Sequence, residues 1–182
     1  SDVCVTSSNA VKITRDLPNK HIFFIPDRNL GSYVAAQVPE KHIILNDGYC
    51  PVHMTITAAQ VLAAKEKHPT ALVLSHPECA ADVLAHSDYI GSTADLIRYA
   101  KESAARRFIV CTEDGVLFRL RAENPEKYFY FPDPRPCCPD MKQNTLERIL
   151  SVLENEEGAI EVNEEVCRQA LIPLNRMLEL AK

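Results

Sequence analysis

The sequence predicts an α/β fold made of repeated small parallel four-stranded sheets with helices on both faces. Short apolar runs alternate with amphipathic or alanine-rich stretches along the chain, which is the pattern of parallel βα units. The order of those runs recurs in the second half. Polar and ionisable residues cluster just after the apolar runs, where ligands of such units collect.

Strands are expected at residues 3–5, 22–25, 43–45 and 71–74, and again at 89–90, 108–111, 128–131 and 159–162. Asp2 falls on Asp88, an offset of 86. At that offset Ile22-Phe23-Phe24 falls on Phe108-Ile109-Val110, and Pro39-Glu40-Lys41 on Pro125-Glu126-Lys127, without a gap. With two residues inserted near Cys137 the match continues, placing Thr57 on Thr145, Ala71 on Ala159 and Cys79 on Cys167. A fixed period of this kind indicates duplication. Residues 1–86 are the first α/β repeat, and residues 87–182 the second with a C-terminal helix. No glycine or proline loosens the junction at residues 85–87, so the copies are expected to pack as a compact pair.

The 182 residues are 46% hydrophobic and carry a formal net charge of -5. No basic stretch is longer than a pair such as Arg106-Arg107, so the footprint of a nucleic-acid binder is missing. No run is apolar for long enough to span a bilayer, and no leader is recognisable; the default compartment is the cytoplasm. The chain opens on Ser1-Asp2 without methionine and runs straight into an apolar stretch, as a fragment would. Seven cysteines, an odd number with no Cys-x-x-Cys spacing, argue against a disulfide scaffold and against the common structural zinc sites.

Two strand-to-helix turns are rich in hydroxyls, Thr6-Ser7-Ser8-Asn9 and Gly91-Ser92-Thr93-Ala94-Asp95. Each suits an anion at a helix N-terminus, and each equally suits plain N-capping. The loop after residue 45 carries Cys50 and His53, and the equivalent loop of the second half carries Cys137 and Cys138. After residue 74 comes Ser75-His76-Pro77-Glu78-Cys79. There an imidazole and a carboxylate on a stiff turn could exchange protons if a closed pocket moves their pKa values towards neutrality. A structural role, with Glu78 complementing a helix dipole, is the alternative. The second half has Asn163-Glu164-Glu165 there, so the fold does not require the histidine. Cys4 and Cys111 are read as small core residues in strands, and Cys79 and Cys167 as helix-start residues packed on a sheet. A zinc hydrolase built on Cys50, His53 and His76 is disfavoured, because the spacings are not those of a tetrahedral site.

Taken in order, Val5-Thr6-Ser7-Ser8, Pro26-Asp27-Arg28-Asn29-Leu30-Gly31, Gly48-Tyr49-Cys50-Pro51-Val52-His53, His76-Pro77-Glu78, Gly91-Ser92-Thr93, Cys138-Pro139-Asp140-Met141-Lys142 and Ala170-Leu171-Ile172-Pro173-Leu174-Asn175-Arg176-Met177 resemble quinolinate synthase. The resemblance covers nearly the whole chain. It implies the last two of three similar α/β domains around a pseudo-threefold axis, with an N-terminal domain of the same protein as their partner. It implies condensation of iminoaspartate with dihydroxyacetone phosphate to quinolinate in NAD biosynthesis, with L-aspartate oxidase as the supplier of iminoaspartate and no nucleic-acid or membrane partner. It further implies a [4Fe-4S] cluster on three cysteines whose open iron is a Lewis acid. Cys50 and Cys138 resemble two of the ligands, and the third would lie upstream. Glu78 resembles the acid-base carboxylate, His76 its neighbour and His53 a further pocket histidine, while Ser7, Ser92 and Thr93 resemble binders of substrate carboxylates. By this reading the chain alone is inactive, and the competing one is a non-catalytic two-domain fragment unable to hold the cluster.

Overall fold

Parallel strands and helices alternate through most of the chain, as a computed structural model describing residues 1–182 shows. The chain divides into two compact units, Val5–Cys137 and a second made of Ser1–Cys4 with Cys138–Lys182.

In the larger unit the order is α1 (Ala10–Asp16), β1 (His21–Phe24), α2 (Arg28–Gln37), β2 (His42–Leu45), α3 (Pro51–Met54), α4 (Ala58–Lys67), β3 (Leu72–Ser75), α5 (Ala81–Leu84), β4 (Tyr89–Ile90), α6 (Thr93–Glu102), β5 (Arg107–Cys111), α7 (Val116–Glu123) and β6 (Tyr128–Tyr130). The α/β class and the small parallel sheets are as expected, but the sheets have two and four strands, in the orders β1-β2 and β4-β3-β5-β6. Strand β3 lies before residue 86 yet is hydrogen-bonded to β4 and β5, which lie after it. The register nonetheless repeats at the offset of 86: His21 faces His42, and Arg107 faces Tyr128.

Alternation along the central strands covers both faces of the larger sheet, since successive side chains point to opposite sides. Leu74, Phe108, Val110 and Phe129 pack with Leu96, Ile97 and Ala100 of α6 and Leu117 and Leu120 of α7. The intervening Val73, Ile109 and Cys111 pack with Val61 and Ala64 of α4 and Val83 of α5. A separate core joins Ala10, Phe24, Leu30, Val34 and Val38 beside the two-stranded sheet. Capping boxes start two of these helices, Thr57 with Gln60 at α4 and Ser92 with Asp95 at α6, each pairing amides that the first turn leaves without partners.

The smaller unit contains a 3-10 turn at Met141–Gln143, α8 (Leu146–Asn155) capped by Thr145, and α9 (Glu164–Leu180) capped by Asn163. Two expected strands are corrected. Residues 3–5 and 159–162 join no sheet, because an apolar run becomes a strand only where a neighbouring strand completes its hydrogen bonds. The Cys4 amide instead donates to the Pro173 carbonyl of α9 at 3.1 Å, and Ile160 is 87% exposed. Cys167 is likewise exposed and packs on no sheet, and Cys4 is half-buried outside any strand.

Candidate active site

The order β4-β3-β5-β6 sends the chain from β3 to one side and then, through α6, to the other. At such a reversal the loops leaving adjacent strands separate and open a crevice at the strands' carboxyl ends. The loop after β3 carries His76 and Glu78, and Thr112 follows β5. The His76 amide donates to the Cys111 carbonyl at 3.1 Å, holding the two exits together. The two-stranded sheet contributes in the same way, with Asp27 following β1, and Cys50 and then His53 on α3 following β2.

These loops bring together Cys50, His53, His76 and Glu78. Nδ1 of His53 lies 3.1 Å from Oε2 of Glu78, and Nδ1 of His76 lies 3.8 Å from the same oxygen. The two imidazoles stack with centroids 4.6 Å apart and planes 20° from parallel. Nε2 of His53 meets Oγ1 of Thr112 at 3.0 Å. One ligand atom from each of Cys50, His53 and Glu78 falls within 4.8 Å of the others. His53 and His76 are buried. Glu78 sits in a turn rather than at a helix start, since α5 begins only at Ala81, so the alternative role of complementing a helix dipole does not apply.

The His53 imidazole holds the Glu78 carboxyl below its ordinary range, against the opposing push of burial. Burial, reinforced by His53 and partly offset by Glu78, pulls His76 down from 6.5 to about 4. Both shifts run away from neutrality, opposite to the direction expected from the sequence: at neutral pH Glu78 is a carboxylate and His76 a neutral imidazole. An ionised Glu78 can only accept, which assigns the His53 proton to Nδ1 and leaves Nε2 to accept from the Thr112 hydroxyl. That Nδ1 is close to Oε2 yet off the line of a hydrogen bond, so it is a buried donor with no aligned partner. Burial also pushes the Cys50 thiol up, and a metal cation would reverse that by favouring the thiolate. The Cys50 sulfur, beside the Glu78 carboxylate and the His53 ring, is thus placed where it could hold a metal-bearing group next to groups able to exchange protons.

Three supporting residues escaped the reading of single positions. Asp27 accepts from the amides of Leu30 at 2.8 Å and Cys50 at 2.7 Å. Asn29 donates to the Glu78 carbonyl at 3.0 Å and lies 3.2 Å from the Met54 sulfur. Thr112 fixes His53. The available signal was position, since each follows a parallel strand.

The other expected site residues are carried by other segments of the chain. Ser92 is buried and engages Asp95 through its hydroxyl at 2.6 Å, so the capping alternative describes its side chain. Thr93 is exposed in the first turn of α6, and Ser7 is half-buried in the turn before α1. Cys138 is half-buried and belongs to the smaller unit. None of the seven cysteines forms a disulfide. Burial raises the thiol of Cys111 to about 12 and that of Cys79 further still, which makes both poor ligands and poor nucleophiles.

Comparison with known proteins adds an independent line. The family described as Quinolinate synthetase A protein (NadA) matches residues 1–179. Quinolinate synthase of Caldicellulosiruptor saccharolyticus is 49% identical over 181 residues, covering 100% of this chain and 60% of the relative. The enzymes of Clostridioides difficile, 45% identical over 181 residues, and Fusobacterium nucleatum, 47% over 180, also have 60% of their length covered, by 100% and 99% of this chain. The chain thus spans about 60% of the length of these curated relatives.

Proposed function

The chain belongs to the quinolinate synthase family, and we propose from this that it supplies the acid-base and part of the metal-binding machinery for condensing iminoaspartate with dihydroxyacetone phosphate to quinolinate. The observation that carries the reading is the convergence of Cys50, His53 and Glu78 within 4.8 Å. Cys50 and Cys138 would hold a [4Fe-4S] cluster together with a third cysteine from outside these 182 residues. When bound, such a cluster with one open iron supplies a Lewis acid to a hydroxyl or carbonyl.

The chain's own residues carry the proton chemistry. Glu78, kept ionised by His53, accepts a proton from a substrate carbon or nitrogen. His53, fixed by Thr112 at 3.0 Å, holds the proton on Nδ1 beside that carboxylate and stabilises its charge. His76, neutral and stacked on His53, offers a polar ring edge without adding charge. Ser7 and Thr93, with the first-turn amides of α6 that Ser92 leaves open, bind substrate carboxylates. Iminoaspartate would reach the site from an enzyme such as L-aspartate oxidase. Seven cysteines without a disulfide suit a reducing compartment such as the cytoplasm, and no helix is long and apolar enough to cross a membrane. The register shared at an offset of 86 supports a repeat over residues 1–86 and 87–182.

The test is anaerobic preparation of the protein with the further length that its relatives have. Absorbance at about 400 nm together with quinolinate formation is the expected result. A colourless protein that takes up zinc alone would overturn the enzyme reading. A second reading concerns the 182 residues by themselves: their span of 60% of the relatives supports a non-catalytic piece. It fails if these residues alone form quinolinate.

A further inference from the structure

We propose that Asp27 is a positioning residue that fixes the main chain at Cys50 and so aims the Cys50 thiol into the site. The proposal rests on reading Cys50 as a metal ligand. Asp27 is 6% exposed and adopts φ 70°, ψ 96°, a conformation that side-chain-bearing residues rarely take and that persists only where the surrounding structure enforces it. Capping alone does not account for it. A helix N-cap needs one side-chain oxygen and is ordinarily served from the extended region of the backbone. Here Oδ1 performs the cap, accepting from Leu30. Oδ2 is thereby left to accept from the amide of Cys50, 23 residues away, at 2.7 Å.

The surrounding contacts point the same way. The Arg28 amide donates to the Gly48 carbonyl at 2.8 Å, and the Gly48 amide donates to Asn46 Oδ1 at 2.7 Å. Pro51 follows Cys50 as the first residue of α3, and its ring fixes φ on that side. The Cys50 backbone is therefore held on both sides, by Asp27 before it and Pro51 after it. Side-chain rotation is what remains to the thiol. A thiolate held in this way loses little entropy on ligation, whereas one on a free loop must be ordered by the metal.

Asp27→Asn isolates the effect. Asparagine caps helices and tolerates positive φ, but its single oxygen can serve only one of the two amides and turns a donor towards the other. In the cluster-loaded protein with the further length of its relatives, the variant should lose iron to a chelator about tenfold faster or more, the scale on which residues supporting ligands act. Its thermal midpoint without the cluster should shift by far less than that of a helix-breaking variant. Asp27→Ser, which keeps a capping hydroxyl, should behave alike. Amide exchange in the unsubstituted protein adds a measurement independent of any variant: the Cys50 N–H should be protected like a core amide. Iron loss at the unsubstituted rate in a folded variant, or fast exchange at Cys50, would overturn the proposal. Failure of the unsubstituted protein to bind iron at all would instead overturn the reading of Cys50 as a ligand.

Discussion

Nδ1 of His53 lies 3.1 Å from Oε2 of Glu78, although the two residues follow strands of different sheets. The pair is where the two-stranded sheet and the four-stranded sheet deliver their chemistry to one place. His53 explains why the carboxyl is held below its ordinary range despite burial. Glu78 in turn selects the imidazole tautomer, so that Thr112 can satisfy the far nitrogen.

Glu78→Gln replaces a carboxylate with a neutral amide of the same shape. The amide cannot take a proton, so turnover should fall by about a hundred- to ten-thousand-fold, the span of general-base contributions. The metal thiolates are untouched, so iron content should stay at the level of the unsubstituted protein. Iron analysis beside an assay of quinolinate formation checks this. Equal loss of iron and activity would assign Glu78 to the metal instead.

The α/β class was legible in the sequence because its signal is local, whereas Cys50, His53, His76 and Glu78 were singled out one by one and joined into a single site only by the resemblance to quinolinate synthase. Strand runs alternate with helical ones, and each site residue follows a strand. Strand pairing is not local. Residues 159–162 place Ala159, Ile160 and Val162 around a charged Glu161 and pair with no strand, whereas residues 72–75 have β4 and β5 beside them. Asp27 was similarly hidden: its significance lies in a bond to an amide 23 positions away and in a positive φ that no residue type announces. The pKa directions were hidden too, since they come from His53 and burial acting on Glu78 and His76.

Thr112→Val keeps the volume and removes the hydroxyl 3.0 Å from Nε2 of His53. A buried acceptor is then left without its donor, at a cost of about 1–3 kcal/mol. The ring should rotate more freely, lowering kcat with a smaller effect on KM. Thr112→Ser, which restores a hydroxyl, should recover most of the rate. Steady-state kinetics on the three proteins checks it, and identical kcat values would remove Thr112 from the site.

Acid should destabilise the metal-free chain through His76. Its folded value is about 4 against an ordinary 6.5. Above pH 6.5 neither state holds the proton and the group is neutral to folding. As pH falls from 6.5 to 4 the unfolded chain binds a proton that the folded one refuses, so stability drops, by about 3 kcal/mol if the full difference is realised. Glu78, also depressed, adds a loss of the same sign at lower pH, as its ordinary range is crossed. Urea unfolding at pH 7.5 and pH 5 should therefore show a clear fall in midpoint, and His76→Asn should reduce it. An undiminished fall in that variant would place the acid sensitivity elsewhere.

The seven thiols should divide by reactivity in the metal-free chain. Cys137 and Cys167 are exposed and should alkylate first. Cys79 and Cys111 are fully buried, with thiol values pushed far up by that burial, and should resist until the chain unfolds, since only the accessible thiolate reacts. Cys50 is half-buried, with its thiol also raised, and should fall between these groups. Once the cluster is loaded, Cys50 and Cys138 should become protected while Cys137 remains reactive, because ligation removes the nucleophile from those two alone. Cys137→Ala should accordingly keep its iron, and Cys138→Ala should lose it along with activity. Mass spectrometry of alkylated peptides before and after loading, beside iron analysis of both variants, reads this directly. Protection of Cys137 in place of Cys138 would exchange the roles of these neighbours.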